Sequence, residues 1–207
     1  HPTNDDAVAA VVEGWWTDRI AGRTTIMLAG HHNQVDQLNA HARQRLDETG
    51  QLYGPETDLG GQSYRVGDHI LCLRNDRRHG VLNGTVAIID AITDRTMHAT
   101  TDHGRHLTLP WEYLQQGGIS HAYATTVHKA QGRTVDTTHV LLDDTSYRQL
   151  AYVTLSRHRQ TAHLHLTETP AADGSDGHHP APHGPERAPD LANALERDRS
   201  QQLVTSM

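Results

Sequence analysis

The sequence has few of the residues from which several kinds of site are built. Among its 207 residues there is no phenylalanine, aromatic residues make up 4%, and Cys72 is the only cysteine. A single cysteine excludes an internal disulfide framework and a multi-cysteine zinc site. It is also typical of a reducing compartment, so we expect a cytoplasmic protein. Every apolar run is shorter than the ~18 residues of a membrane span, and no signal peptide is recognisable, so we expect no membrane partner.

Positive charge is also scarce. The formal net charge is -7, which excludes a chain that binds nucleic acid through an overall basic surface, so any such contact has to be local. Only one of the 18 basic Lys and Arg residues is a lysine, Lys129. Hydrophobic residues make up 35%, which is enough for a core. The chain begins at His1 without a methionine, and we expect it to be a piece of a longer protein.

The beginning of the chain alternates helix and strand. Apolar residues spaced three and four positions apart predict a helix over 5–20, capped by Asn4 or Asp5. A short β-branched run predicts a buried strand over 24–29. A second apolar stripe predicts a helix over 33–48, which a glycine ends. This order of elements is typical of an α/β domain.

The middle of the chain, residues 52–118, has a different period, and the barrel expected there covers residues 62–118. Apolar residues recur at every second position and glycines punctuate the runs, which is typical of short strands in a small β-barrel. Asn83-Gly84 is a strong hairpin signal before a strand over 85–89. Further strands are predicted over 97–101 and 106–109. We expect this region to form a compact barrel that interrupts the α/β sheet without adding strands to it.

The α/β pattern then returns. The predicted elements are strands over 120–125, 138–142 and 162–166 and a helix over 148–157. The simplest interpretation is one α/β domain, made of residues 1–61 and 119–168, that is interrupted by the β module. Residues 169–207 include a stretch rich in Pro, Gly and His that cannot bury enough apolar surface to fold, so we predict a disordered tail.

Residues 121–136 concentrate groups that can bind an anion. They bring together hydroxyls, an imidazole, an amide, Gly132 and the only lysine, Lys129. Glycine lets the backbone approach a phosphate, and the compact ammonium of lysine differs from the planar fork of arginine. On this ground alone, a solvated polar loop explains the same residues about equally well.

A second segment, residues 151–159, has the pattern of an apolar helix that ends in a cationic cluster around Arg157. The helix dipole favours cations at this end by less than ~1 kcal/mol, which is one explanation of the cluster. The other is an arginine presented to a phosphate, as an arginine finger is.

Together these segments resemble the second RecA-like domain of RecD-like superfamily 1 DNA helicases. Residues 126–132 (TVHKAQG) resemble motif V and residues 152–159 (YVTLSRHR) resemble motif VI, in the right order. Residues 27–43 resemble the strand and helix of motif IV. The pairs at 67–68 and 83–84 resemble the SH3-like barrel that this branch inserts into the domain. The resemblance is closest to the helicase part of TraA-like conjugative relaxases.

The resemblance implies a role for each matching residue. Arg157 matches the catalytic arginine that reaches the γ-phosphate of ATP. Gln131 and Gly132 match the backbone near that phosphate. Thr134 matches, less specifically, a position where relatives outside this branch place a ribose contact. The residues that match the face touching single-stranded DNA are Thr126, His128 and Lys129.

Two departures from the family pattern limit what this chain is expected to do. Such helicases bind ATP with Mg²⁺ between two RecA-like domains, and the first domain supplies a phosphate loop and an acidic pair. The sequence has no G-x-x-x-x-G-K-[ST], and Asp143-Asp144 follow motif V, so we interpret them as a strand-end cap. His31 and His32 stand where many relatives carry a motif IV arginine, which leaves nucleotide contact there open. We therefore expect the C-terminal part of a helicase or conjugative relaxase-helicase, without ATP hydrolysis in the absence of the missing first RecA-like domain.

We interpret several other aromatic residues and histidines as structural rather than functional. Tyr53, Trp111 and Tyr113 could stack on bases, but aromatic residues of a small barrel are more often core, which we favour. His163 and His165 share one strand face, as ligands of a metal would. No acidic or cysteine residue is spaced to complete such a site, so we predict no metal and treat them as surface histidines.

Two other interpretations remain open. The chain could be a truncated, non-catalytic DNA-binding or interaction fragment. A stand-alone β-barrel adaptor on an unrelated α/β scaffold would explain the middle of the chain, but it would leave motifs V and VI as coincidence. A phosphate loop and acidic pair encoded upstream in the same reading frame would favour the motor.

Overall fold

The computed structural model describes residues 3–127, 129–130, 135–142 and 158–166. Over these residues the helices are α1 (Asn4–Ile20), α2 (His32–Glu48) and α3 (Trp111–Gln115). The strands are β1 (Thr25–Ala29), β2 (Tyr53–Leu59), β3 (Gln62–Val66), β4 (His69–Cys72), β5 (Val86–Ile92), β6 (Thr96–Thr101), β7 (His106–Pro110), β8 (Ile119–His121), β9 (Ala124–Thr126), β10 (Val135–Leu142) and β11 (His158–Leu166). The predicted helix over 148–157 and the predicted tail lie outside the described residues.

Four strands form a parallel sheet in the order β11-β10-β1-β9. In the central strand β1, Met27 is paired with His139 on one side and with Ala124 on the other. Helices α1 and α2 pack against one face of this sheet, since Met27, Ala29 and Leu141 share a core cluster with apolar residues of both helices. The alternate residues of the same strands form a second core cluster, which lies on the opposite face. The α/β architecture expected from the sequence is therefore present as a parallel sheet.

Helices α1 and α2 follow the predicted apolar stripes closely. The buried residues of α2 include the four predicted ones, Val35, Leu38, Ala42 and Leu46. The prediction of the α1 cap is wrong, because the cap is Thr3, whose Oγ1 accepts a hydrogen bond from the Asp6 N–H at 3.1 Å. A threonine one residue upstream satisfies the same orphan donor that an aspartate or asparagine would.

The middle of the chain forms an antiparallel sheet in the order β7-β6-β5-β4-β8 and a separate β2-β3 hairpin. These strands, β2 to β8, together make up the β module. Strands β4 and β7 alternate buried residues with less buried ones, and the buried residues of the module form a core cluster of their own. Among the described strands, each hydrogen-bonded pair lies within one sheet, so β2 to β8 add nothing to the parallel sheet. Asn83-Gly84 do not form a two-residue hairpin, because the β4–β5 connection runs over 73–85 and holds an internal bridge between Asp76 and Val81.

The segment predicted as one strand over 120–125 is divided between the two sheets. Ser120 pairs with Leu71 in the antiparallel sheet, whereas Thr125 pairs with Leu28 in the parallel sheet. The antiparallel sheet therefore extends to His121, three residues beyond the boundary expected from the glycines at 117 and 118. Periodicity does not show this boundary, since each half is a strand of only three residues.

Membrane insertion through a helix has no support in the described residues. None of their helices combines the length and apolar character that crossing a membrane requires.

Candidate nucleic-acid interface

The carboxyl ends of β1 and β9 meet at one edge of the parallel sheet. Ala29, the last residue of β1, is paired with Thr126, the last residue of β9. The Val127 N–H then donates to the Ala29 carbonyl at 3.3 Å, so the two chain exits stay side by side. Ligands of open α/β sheets bind outside the carboxyl ends of the strands. This edge is therefore the first place to look for a site.

A tight turn follows β9 and presents the only lysine of the chain. The Ala130 N–H donates to the Thr126 carbonyl at 3.1 Å, and the Lys129 N–H donates to Thr126 Oγ1 at 3.4 Å. Val127 and Ala130 are buried in the core cluster on one face of the sheet. Because these two residues anchor the turn from inside, Lys129 is left exposed on its outer side.

An asparagine of α2 holds β9 in place. The Ala124 N–H donates to Asn39 Oδ1 at 2.8 Å, and Asn39 Nδ2 donates to the Ala124 carbonyl at 3.4 Å. β9 is an edge strand of only three residues, and Asn39 takes the hydrogen-bonding place that a further strand would take. The position of the following turn therefore depends on α2 as well as on the sheet.

The turn opens into a cleft of about 570 Å³ between the parallel sheet and the β module. One wall is the exposed face of α2, the opposite wall belongs to the β module, and the carboxyl end of β9 lies between them. The lining residues include His32, Asp36, Asn39, Arg43 and Asp47 from α2, Ser63, Leu71, Ser120 and His121 from the β module, and Thr125, Thr126 and Lys129.

The charge of the cleft is mixed. Lys129 and Arg43 are its basic residues, whereas Asp36 and Asp47 are acidic. Arg43 is engaged by the carboxylates of Asp68 at 3.2 Å and Glu56 at 3.1 Å. Attraction of a phosphate chain would therefore depend on Lys129 rather than on a broad basic groove, as the net charge of the chain implied.

A buried carboxylate joins the β module to the α/β domain. Asp68, which is fully buried in the turn before β4, accepts hydrogen bonds from the Tyr123 hydroxyl at 2.6 Å and from Arg43 Nε at 3.2 Å. It also accepts the Arg65 N–H at 2.7 Å. Because Arg43 belongs to α2 and Tyr123 precedes β9, this one side chain contacts both walls of the cleft.

The environment of Asp68 changes the pKa values of its neighbours. Burial, together with the adjacent carboxylate, raises the pKa of Tyr123 far above its ordinary value, so this hydroxyl stays a donor. Burial by itself lowers the pKa of Arg43, but Asp68 and Glu56 more than offset it, so the pKa rises. Burial lowers the pKa of His121, whose Nε2 is 3.9 Å from Asp68. The charged pair at this junction is therefore Asp68 with Arg43.

The residue before Asp68 has to be a glycine. Gly67 has φ +95, and a Cβ at this position would lie 2.4 Å from the Gln51 carbonyl oxygen. The Gly67-Asp68 pair noted in the sequence is thus explained by a close approach between the chain that follows α2 and the turn before β4.

The three aromatic residues considered for base stacking have different positions. Tyr113 is buried and its hydroxyl donates to the Arg74 carbonyl at 2.9 Å, as a core residue. The core prediction is wrong for Tyr53, which is 60% exposed. Tyr53 and the half-buried Trp111 line a separate groove of about 430 Å³ on the β module. Tyr53 is exposed because it begins the β2-β3 hairpin outside the antiparallel sheet.

The structure brings two of the sequence-predicted site residues together. Thr126 and Lys129 share the turn after β9, where the resemblance puts the DNA-contacting face. His128, Gln131, Gly132, Thr134 and Arg157 lie outside the described residues, as do Asp143 and Asp144. His31 and His32 lie at the start of α2, and His32 lines the cleft.

Sequence reasoning missed the residues that build the site rather than touch a ligand. Asn39 and Arg43 were noted only as part of a helix pattern, and Tyr123 only as part of a polar segment. A signal did exist, because asparagine and arginine on the inner side of an amphipathic helix require partners when buried. Their partners are far away in sequence, however, so the contacts could not be predicted.

Comparisons with known proteins match this chain to helicases and to conjugal transfer proteins. A family model of the viral superfamily 1 RNA helicase core domain matches residues 61–166. Conjugal transfer protein TraA of Agrobacterium fabrum is 34% identical over 167 residues, which are 77% of this chain and 15% of that protein. ATP-dependent DNA helicase Pif1 of Bdellovibrio bacteriovorus is 30% identical over 115 residues, which are 49% of this chain and 26% of that protein.

A solved structure supports the fold. The Pif1 helicase from Bacteroides, crystallised with ADP-AlF3 and single-stranded DNA, matches 68% of this chain and 40% of its own, with a TM-score of 0.52 and 21% identity. At this identity the likeness establishes the α/β fold with its parallel sheet and nothing further. The chain spans about 15% of the length of the TraA proteins of Agrobacterium fabrum and Rhizobium radiobacter.

Proposed function

Because the chain belongs to the superfamily 1 helicase core family, we propose that it is the second RecA-like domain of an ATP-dependent DNA helicase or conjugative relaxase-helicase. In this proposal, the strands between α2 and β9 are an SH3-like barrel inserted into that domain. A first RecA-like domain, which this chain lacks, supplies the phosphate loop and holds Mg²⁺ with ATP. A cytoplasmic location and the absence of a membrane partner remain part of the proposal.

The observation that carries the proposal is the turn after β9. Buried Val127 and Ala130 fix it from inside, Asn39 fixes the strand before it, and Lys129 is exposed at the edge of the cleft. A single strand of DNA recognised through its phosphates needs a cation in a fixed position beside an open groove. Lys129 has this arrangement, and the largely buried Thr126 lines the cleft beside it. We assign Thr126 and His128 to the same DNA-contacting face as Lys129.

The nucleotide side of the proposal rests on the family pattern. We assign Gln131, Gly132 and Thr134 to nucleotide binding, because they follow the turn in sequence and match nucleotide-contacting positions of the family. Arg157 would supply the arginine finger to ATP bound on the first domain. An arginine is suited to this role because its planar fork can hold two oxygens of a phosphate at once.

The sharpest test available to this chain is single-stranded DNA binding by Lys129 variants. Lys129→Gln should weaken binding and should reduce the salt dependence of log affinity by about 0.7, the value for one phosphate contact on a single strand. Lys129→Arg should keep most of the salt dependence, because it keeps the charge. The measurement is fluorescence anisotropy of a labelled oligonucleotide over a series of salt concentrations.

A matched control comes from an exposed arginine of the β module that does not line the cleft. Arg105 lies in the β6–β7 turn and is not among the residues that line the cleft. Arg105→Gln removes the same charge and should leave the affinity and its salt dependence unchanged. If Lys129→Gln behaves like Arg105→Gln, the lysine is not a backbone contact and the proposed interface is wrong.

A further inference from the structure

A cluster of three side chains that can bind metals lies near the β11 edge of the parallel sheet. Lys129 follows β9, at the other edge of the described sheet. His139 of β10 is directly opposite His163 of β11 in the parallel ladder. Their rings are stacked, with centroids 4.7 Å apart and planes inclined by 10°. Asp18, near the end of α1, lies over the same pair, and its Oδ2 is 2.9 Å from His139 Nε2. One ligand atom from each of the three lies within 4.8 Å of the other two.

The burial of these groups suits a site with one open side. His139 is 2% exposed and Asp18 is 6% exposed, whereas His163 is exposed on the edge strand. The buried ring is accommodated because residue 14 of α1 is a glycine, since a Cβ there would lie 2.7 Å from His139 ring atoms. Two ligands are therefore held in place by packing, and the third faces solvent, where an ion could enter.

The donor set is one that transition metals prefer. Two imidazole nitrogens and a carboxylate oxygen form a common protein site for Zn²⁺, with bonds of about 2.0–2.2 Å. Such bonds put neighbouring tetrahedral ligands about 3.3 Å apart by geometry, close to the 2.9 Å between Asp18 and His139. To bring its ligand atom to a similar distance, His163 would have to move, and its side chain is exposed. His165 lies two residues along the same strand, with its ring centroid 6.0 Å from that of His139.

Metal binding would change the protonation of the buried imidazole. A metal on Nε2 moves the imidazole proton of His139 to Nδ1 or releases it.

One neighbour opposes a cation. Arg23 pairs with Asp18 Oδ1 at 2.5 Å, so it neutralises part of the carboxylate charge, while Oδ2 remains directed at His139. Arg23 should therefore weaken the binding of a metal without blocking it.

We propose that Asp18, His139 and His163 form a binding site for a divalent transition-metal ion, with Zn²⁺ the best match to these ligands. The ion would join α1 to the last two strands of the parallel sheet, far from the cleft. The site is independent of the proposed helicase role, because none of its residues belongs to the cleft. The sequence did not reveal it, since the acidic ligand lies 121 residues before His139.

The experiment is a titration of the 207-residue chain with Zn²⁺ in competition with a chromophoric chelator. We expect one equivalent to bind more tightly than the rest. His163→Ala should weaken that equivalent at least about 10-fold, since loss of even an indirect partner of a metal ligand costs 10–100-fold. Zn²⁺ should also raise the melting temperature of the unaltered chain and not that of His163→Ala. His163 is exposed, so this variant should keep the fold, and circular dichroism checks it.

Three further variants separate this site from the other histidines. His103→Ala removes an imidazole that is exposed in the β6–β7 turn, and it should bind Zn²⁺ normally. Replacing His178, His179 and His183 together should also leave the tight equivalent in place. Arg23→Gln should tighten binding, because it removes the opposing charge. The proposal is overturned if no single tight equivalent exists, if His163→Ala retains it, or if the tail variant loses it.

Discussion

The two sheets of this protein bury their strands in different ways. In the parallel sheet, β1 and β10 are almost continuously buried, from Ile26 to Ala29 and from Thr137 to Leu142. In the antiparallel sheet, β4 and β7 alternate buried residues with less buried ones. A parallel sheet is covered on both faces, whereas an antiparallel sheet can leave one face to solvent.

This difference decides where chemistry can be located. Most side chains of β1 and β10 are used in two cores, so the groups proposed to contact DNA come from a connection at the edge of the sheet. The turn over 126–130 follows that rule. The antiparallel module contributes one wall of the cleft, and Asp68 connects it to α2. The following predictions test two statements. The first is that the residues contacting ligands lie at the connections of the parallel sheet, and the second is that the junction around Asp68 holds those residues in position.

The largest effect is expected at a connection of the parallel sheet. In a protein that joins this chain to a RecA-like domain with a phosphate loop, Arg157→Ala should lower ATP turnover by ~10³-fold or more, because an arginine finger stabilises transition-state charge. DNA affinity should be nearly unchanged. The measurement is phosphate release with single-stranded DNA.

Two control measurements accompany this experiment. Arg105→Ala, in an exposed turn of the antiparallel sheet, should hydrolyse ATP normally. The 207-residue chain by itself should show no turnover. Near-normal hydrolysis by Arg157→Ala would mean that the motif VI assignment is wrong.

The next effect is expected at the junction of the two regions. Asp68→Ala leaves Arg43 and the Tyr123 hydroxyl without their shared acceptor. Breaking a buried ion pair costs about 3–5 kcal/mol, and we expect the lower end because Arg43 keeps Glu56. Urea unfolding measures the free energy of unfolding. Asp94→Ala, in the exposed β5–β6 turn, is the control and should change it by less than about 0.5 kcal/mol. Equal stability of the two variants would contradict the role of Asp68.

A smaller effect is expected from the clamp on β9. Asn39→Ala leaves the buried Ala124 N–H without its acceptor, which should cost about 1–3 kcal/mol of unfolding free energy. Because the clamp positions the turn that carries Lys129, DNA affinity should fall as well. Gln37→Ala, exposed on the same helix, should change neither quantity. If Asn39→Ala lost stability and kept full DNA affinity, the clamp would not position the turn.

The smallest effect concerns the packing of α1 on the parallel sheet. Alanine normally stabilises a helix by up to about 1 kcal/mol over glycine. Gly14→Ala should instead destabilise the chain by about 1 kcal/mol, because the new methyl group overlaps the His139 ring. In a His139→Ala background, the same change should become stabilising. The four proteins of this cycle are the unaltered chain, Gly14→Ala, His139→Ala and the double variant, and thermal unfolding measures their stabilities. If Gly14→Ala changed stability in the same direction with and without the His139 ring, the ring would be able to move aside freely.

How much could be predicted depended on the range of the interactions. Helices α1 and α2 and the central strands were recognisable from apolar spacing, because each pattern is complete within one element. The end of the antiparallel sheet at His121 was not predicted, since three-residue strands such as β8 and β9 have no distinctive period. Lys129 could be proposed as a site residue from its motif, whereas Asn39 and Asp68 became significant only through their partners.

The sequence by itself determined the periods of helix and strand, the composition that makes any DNA contact local, and the motif that carries Lys129. These properties depend on residues close together in the chain. Only the tertiary structure decided that Asp68 meets Tyr123, 55 residues away, and that Asp18 meets His139, 121 residues away. A buried polar group is satisfied by whichever partner the topology brings within hydrogen-bonding distance, and local sequence contains no record of that partner.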